Sequence, residues 1–300
     1  MIALALLLKV IKYPLLRYLN LITINLSFMI KKQYLKEIAI SATQQKGSAS
    51  NNQKEVSKIQ SWLNLYAVTN PSAGTATGID GSFGPGTETA VKNFQKAKNL
   101  PQTGIVDSSV FGELCQPMIK AFKSPVAGTG LRELVVNTAI QHLSNAPFEL
   151  TVKGQSNCGP WVRAYMDNNE GTEWFWCMGF VQTIIDQAAS QLGKDFRTLM
   201  PLTYSCDTVG TTGINKGLLS RVATVRSNPA VVRPGDIFLV QKTPNDWVHT
   251  GIVIGVHGDL FDTIEGNTNT DGSSNGNGVY KRVRNFQSSK LDVFSIQPLV

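Results

Sequence analysis

Residues 249–267 read His249-Thr250-Gly251-Ile252-Val253-Ile254-Gly255-Val256-His257-Gly258-Asp259-Leu260-Phe261-Asp262-Thr263-Ile264-Glu265-Gly266-Asn267. Two apolar runs, His249–Val256 and Leu260–Gly266, flank a Gly-Asp turn signal, so the stretch reads as a β-hairpin. Residues two apart on a strand share a face, so Glu265 and Asn267 point the same way. A carboxylate inside an apolar strand is costly to bury without a partner, and an imidazolium supplies one. Parity then constrains the turn. A two-residue loop pairing His257 with Leu260 puts His249 opposite Thr268 and turns Glu265 and Asn267 away from it. A three-residue turn, or a bulge of equivalent effect between Val256 and Leu260, puts His249 opposite Asn267 and diagonal to Glu265. If His249 and Glu265 work together, the hairpin needs an odd turn or a bulge.

Outward from the hairpin, further strands are expected at 236–241, 279–283 and 291–296. Upstream the pattern is helical. Leu134, Val135, Ala139 and Ile140 give 131–143 an apolar stripe. Val181, Ile184, Ile185, Ala188, Ala189 and Leu192 make 177–192 a buried helix stopped by Gly193. Helices followed by an antiparallel sheet is the order of an α+β fold. Cys177 begins the buried helix, after Trp174-Phe175-Trp176. Unpaired N–H groups and the helix dipole favour a thiolate there, which can attack a carbonyl. An isolated cysteine in an apolar stretch is usually an inert core residue, so a base is required. The chain has three histidines. His142, near the end of an amphipathic helix, reads as solvated or capping, and His257 falls in the hairpin turn. His249 is the candidate base, Glu265 the group orienting it, and Asn267 a further site residue.

The four cysteines, Cys115, Cys158, Cys177 and Cys206, show no CxxC pair and no Cys/His ligand spacing, which argues against zinc. Cys158 and Cys206 read as buried free thiols. The polar loop 267–278 offers only Asp271 as an acidic ligand, too little for calcium.

The N-terminal part is organised differently. Val56, Ile59 and Leu63 recur at helical spacing with Trp62 and Tyr66 beside them. The turn Asp80-Gly81-Ser82-Phe83-Gly84-Pro85-Gly86 comes next, then a helix carrying Ala90, Val91 and Phe94, for which Thr87 is the expected cap. Asp107 caps a third helix with Val110, Phe111 and Leu114. Residues 1–53 read as leader and linker, with 43–53 small and polar, and 119–130 as a second linker. Formal charge is +7, distributed as +3 over 1–28, +3 over 29–50, +2 over 51–130 and −1 over 131–300. A basic leader suits an anionic surface, but no nucleic-acid motif accompanies it. Residues 2–8 are apolar, yet Lys9, Lys12 and Arg17 interrupt the stretch after them, short of the roughly 20 apolar residues of a membrane span. No secretory signal is evident. Met29-Ile30-Lys31-Lys32 looks like a natural start, with 1–28 as upstream sequence and a membrane-surface anchor as the alternative.

Two resemblances emerge from these residues. Ile59-Gln60-Ser61-Trp62-Leu63, Asp80-Gly81-Ser82-Phe83-Gly84, Thr87, Ala90-Val91, Phe94-Gln95, Leu100, Thr103-Gly104 and Val106-Asp107 resemble the three-helix peptidoglycan-binding domain, over 54–118. Trp176-Cys177-Met178-Gly179-Phe180-Val181, Pro234-Gly235-Asp236-Ile237, His249-Thr250-Gly251-Ile252-Val253 and Glu265-Gly266-Asn267 resemble the CHAP family of cysteine, histidine-dependent amidohydrolases/peptidases, within 131–300. The second resemblance implies a papain-like hydrolase with an antiparallel sheet, and a cut in peptidoglycan at the muramic acid amide or within the peptides. Catalysis by Cys177, His249, Glu265 and Asn267 is expected, with no cofactor and no metal. The partner implied is bacterial peptidoglycan; neither nucleic acid nor a stable membrane span is expected, and the chain is expected to be a monomer. Localisation stays open beyond action at the wall. The alternatives are a catalytically inert wall-binding protein and a cysteine amidohydrolase acting on another amide.

Overall fold

A computed structural model describes residues 28–271, 273 and 275–300. The first 27 residues, and with them the readings of the leader as upstream sequence or anchor, lie outside the described residues. The N-terminal part is helical: α1 (Tyr34–Glu37), α2 (Gln53–Thr69), α3 (Pro85–Ala97), α4 (Ser108–Leu114) and α5 (Gln116–Lys123). Then come α6 (Leu131–Ser144), the hairpin β1 (Leu150–Val152) and β2 (Gln155–Cys158), α7 (Pro160–Tyr165), α8 (Cys177–Gln191), α9 (Cys206–Asn215), β3 (Leu219–Ser220) and α10 (Val222–Ser227). The chain closes with β4 (Ile237–Thr243), β5 (Asp246–His257), β6 (Leu260–Thr268), β7 (Gly278–Asn285) and β8 (Leu291–Phe294). The larger sheet is antiparallel, in the order β3-β8-β4-β5-β6-β7. This is the α+β arrangement expected from the order of apolar patterns. Among the described residues no helix is long and apolar enough to cross a membrane.

Local chemistry sets the helix starts. The Asn52 side chain accepts from the Lys54 and Glu55 N–H groups, and Asp107 accepts from Val110. The expected cap at Thr87 is wrong. Helix α3 begins three residues earlier than that cap implies, with Pro85 in its first turn and Gly84 as N-cap. Thr87 is buried inside the helix, where its hydroxyl accepts from Gln60 Nε2 at 3.0 Å. Proline lacks the N–H that a first turn leaves unpaired, which is why the helix can start there.

The first linker reading differs from the structure, and the second holds only from Ser124. Gln44, inside the stretch read as flexible, is fully buried and pairs its backbone with Val106 in both directions, at 2.9 and 3.0 Å. Its side-chain amide donates to Ala42 O and Glu55 and accepts from Asn52 N. Small polar residues resemble a solvated tether when their partners are unknown; here they satisfy one another. Ahead of them Met29, Lys31 and Tyr34 are buried, and the Ile30 and Lys31 N–H groups donate to Asp186 of α8. The segment read as leader is thus part of the body from Met29 onward. Likewise α5 carries the second linker to Lys123 as helix, with Met118, Ala121 and Phe122 in the core.

All of α8 from Cys177 to Ser190 is buried, between α6 on one side and β5 and β6 on the other. The β5–β6 loop itself is even: His257 pairs with Leu260, and Gly258 takes φ +64°. Parity is corrected further along. Gly255 pairs with Asp262 but Val253 pairs with Thr263, so Ile254 is an extra residue on β5. A bulge of the required effect therefore exists, at Ile254 rather than between Val256 and Leu260. Beyond it Ile252 faces Ile264, the register that an odd turn would have given.

Candidate active site

Cys177 is the first residue of α8 and is buried against the sheet. His249 on β5 and Glu265 on β6 are buried too, and His249 Nε2 lies 2.9 Å from Glu265 Oε2. Gly251, which belongs opposite Glu265 in this register, makes that contact possible. A Cβ there would come within 2.8 Å of Glu265 Cγ, 2.7 Å of Phe238 Cε1 and 2.9 Å of the Ile264 carbonyl. Glu265 is held from several sides. The Thr263 hydroxyl donates to Oε1 at 2.6 Å, and Arg284 donates from Nε to Oε1 and from Nη2 to Oε2, each at 2.6 Å. The guanidinium carbon sits 4.6 Å from the centre of the Phe238 ring.

These groups shift one another's protonation. Burial alone would raise Glu265, but hydrogen bonds from His249 and Arg284 outweigh it and hold its pKa down at about 2. Burial would likewise lower His249, but Cys177 and then Glu265 stabilise the imidazolium and raise it to about 9. Cys177 falls well below the usual thiol value, first through a hydrogen bond from Cys206, against burial, with His249 and the Met178 N–H adding to it. Cys206 rises well above that value for the reciprocal reason, since a second thiolate beside the first is disfavoured. Among the described residues the buried His249 Nδ1 has no hydrogen-bond partner, while the ring's other nitrogen is committed to Glu265. The arrangement supports a thiolate–imidazolium pair backed by a carboxylate, at the N-terminus of a long helix.

Asn267 belongs to the same neighbourhood, but none of its side-chain hydrogen bonds goes to His249. It takes φ +56°, accepts from the Trp176 N–H at 3.0 Å through Oδ1, and donates from Nδ2 to the Gly276 carbonyl and to Asn157 Oδ1. It holds the residue before Cys177, while the side chain bonded to the His249 ring is Glu265. Trp176 is held again at its indole, which donates to Glu149 at 2.8 Å. His142, expected to be solvated or capping, is instead fully buried. Its Nδ1 lies 2.9 Å from Tyr165 Oη and its Nε2 3.0 Å from Gln187 Oε1, and burial lowers its pKa to about 4. It is a core histidine between α6, α7 and α8.

Two residues of this site were not singled out from the sequence. The strand expected at 279–283 ends one residue short of Arg284. Extended to the observed Asn285, its pairing places Arg282 opposite Thr263 and Arg284 opposite Phe261, on the face Glu265 occupies. That parity is the signal that could have found it. For Cys206 no local signal exists, because its approach to Cys177 depends on how α9 packs. Among the described residues no cluster of three or more His, Cys, Asp or Glu is placed to hold a metal ion.

Residues 52–114 match the family described as "Putative peptidoglycan binding domain". The chain thus carries a helical peptidoglycan-binding domain, made by α2, α3 and α4, which indicates association with the cell wall. No curated protein and no solved structure matches the chain.

Proposed function

We propose that this protein is a peptidoglycan hydrolase of the CHAP type with a papain-like catalytic part, held on the wall by its binding domain, with Cys177 as nucleophile. The observation that carries the reading is the line Cys177–His249–Glu265: three buried ionisable groups from three elements, in which His249 lowers the pKa of both neighbours and both raise that of His249, the direction nucleophilic catalysis needs. The Cys177 thiolate attacks an amide carbonyl of the wall, and N–H groups at the start of α8 stabilise the oxyanion. His249 gives its proton to the leaving amine as the C–N bond breaks, leaving a thioester. His249 then takes a proton from water, the hydroxide adds to the thioester carbonyl, and the thiolate departs with the acid released. Glu265 stays ionised throughout and fixes the ring.

The test is digestion of purified peptidoglycan with analysis of released fragments by mass spectrometry. Cys177→Ala and Cys177→Ser should both abolish release while sedimentation with insoluble wall persists. The Ser variant fails because the alcohol is a far weaker acid than the thiol. Residual cleavage above about one part in a thousand of the wild-type rate assigns the nucleophile elsewhere.

A further inference from the structure

We propose that the cleft between the binding domain and the β1–β2 hairpin is a second recognition site, taking the carboxylate-bearing peptide stems of peptidoglycan. The cleft has a volume of about 800 Å³ and runs from α1 and the first turns of α2 to the β1–β2 turn and the chain after α7. Its charges are unevenly committed. Arg163 donates to both Glu37 and Glu170, at 2.7 and 2.9 Å. Asp167 is held by Lys31 and by the Tyr204 hydroxyl, and Asp80 accepts from Gln60 and the Ser82 N–H. Lys36, Lys54 and Lys153, by contrast, are exposed on three different elements around the cleft, and their ammonium groups make no hydrogen bond or ion pair among the described residues. Lys58, on the same wall, donates its ammonium to the Lys36 and Ala39 carbonyls; the acids are occupied and the other three ammonium groups are not, so the unmet demand is for negatively charged acceptors.

A flexible ammonium favours a carboxylate as a point charge, and three around one cleft suit a ligand that carries several along a chain. Peptide stems of a wall polymer have that chemistry, whereas its sugar backbone offers mainly hydroxyls. The position is also apt. The wall formed by Arg163 and Asp167–Glu170 continues through Gly171–Trp176 directly into Cys177. Gly171 N–H bonds the Asn157 carbonyl, and Asn157 in turn meets Asn267, so the two regions share one hydrogen-bonded frame.

This inference rests on the wall being the target, and its readout is binding rather than cleavage. The experiment uses the full chain in a Cys177→Ala background, with soluble peptide stems titrated calorimetrically, before and after amidation of their carboxylates. Lys36→Gln, Lys54→Gln and Lys153→Asn are combined; asparagine suits the φ of +51° at Lys153. Unchanged thermal unfolding of the triple variant checks the fold. The triple variant should bind native stems about tenfold more weakly, as expected for three part-exposed ion pairs, and amidated stems should bind both proteins equally weakly. A change of less than twofold, no detectable binding by the unmodified cleft, or equal binding of amidated stems overturns the proposal. Tighter binding of a wall phosphate polymer than of stems also overturns it. Cleavage surviving Cys177→Ala would refute the catalytic reading and leave this one standing.

Discussion

Cys177 and His249 derive their chemistry from each other, and that gives a pH profile with a definite sign. Cys177 ionises well below the usual thiol value and His249 loses its proton only at about 9, so the ion pair fills the interval between. Activity should rise on an acid limb well below pH 9 and fall as pH passes about 9, where the imidazolium that protonates the leaving amine is lost. The first cause of the Cys177 shift is the Cys206 thiol. Cys206→Ala should therefore move the pH midpoint of Cys177 alkylation by iodoacetamide upward, while the descending limb near pH 9 stays. An unmoved midpoint would mean that Cys206 is only filling space. Cys177 and His249 stand out in the chain because one opens a buried helix and the other lies near the start of a strand, each with few competitors of its type. Cys206 does not, since nothing local separates a thiol packed in a core from one packed against a second thiol.

The strands bring the carboxylate to the imidazole, and β5, β6 and β7 each contribute something different. The bulge at Ile254 restores the register, the glycine at 251 leaves room for the Glu265 side chain, and Arg284 from β7 neutralises it. Strand parity alone required the bulge, whereas its position depends on twist and packing that the apolar pattern does not encode. Removing Arg284 leaves Glu265 buried with His249 as its one cationic partner. Arg284→Gln should cost about 3–5 kcal/mol of stability, the range for breaking a buried ion pair, and lower kcat at least tenfold. Arg284→Lys should recover part of both. Full activity in Arg284→Gln, with an unaltered pH profile, would make the arginine merely structural. The sign on stability comes from Glu265, whose pKa drops from an ordinary 4.5 to about 2 on folding. Its contribution is complete above 4.5 and is lost as pH falls toward 2. His142 acts in the same direction at higher pH. Its folded pKa of about 4 lies below the ordinary 6.5, so the unfolded chain takes up the proton first. About 3 kcal/mol should be lost between pH 6.5 and 4 from this residue. His142→Gln should flatten that part of the denaturation curve, and an unchanged slope would reject the assignment.

Two folded parts joined by tethers is what the composition suggests, and the molecule is built otherwise. The helical pattern over 54–118 was readable because its apolar spacing is regular and its turns are marked by glycine. What the pattern could not disclose is that the bundle's outer surface is itself a packing face. Trp62 of α2 is buried, its indole N–H donates to the Glu37 carbonyl at 3.0 Å, and its ring meets Trp161 of α7 edge-on at 6.2 Å. Tyr34 stacks on Phe122 at 4.2 Å, and one cluster of buried apolar residues runs through both parts, with a smaller one confined to the sheet-bearing part. A helical module tethered by a flexible linker would unfold by itself; one that shares a core should not. Calorimetry of the protein should then give a single cooperative transition. Trp62→Ala removes a large buried side chain from the seam and should destabilise the whole by about 3–5 kcal/mol, shifting that one transition without splitting it. The same coupling means that deleting 54–118 should reduce cleavage of small soluble fragments as well as of intact wall, because Trp161 and α7, which lead toward Cys177, lose their cover. Two resolved transitions, with Trp62→Ala moving only the first, would show instead that the binding domain is an independent unit.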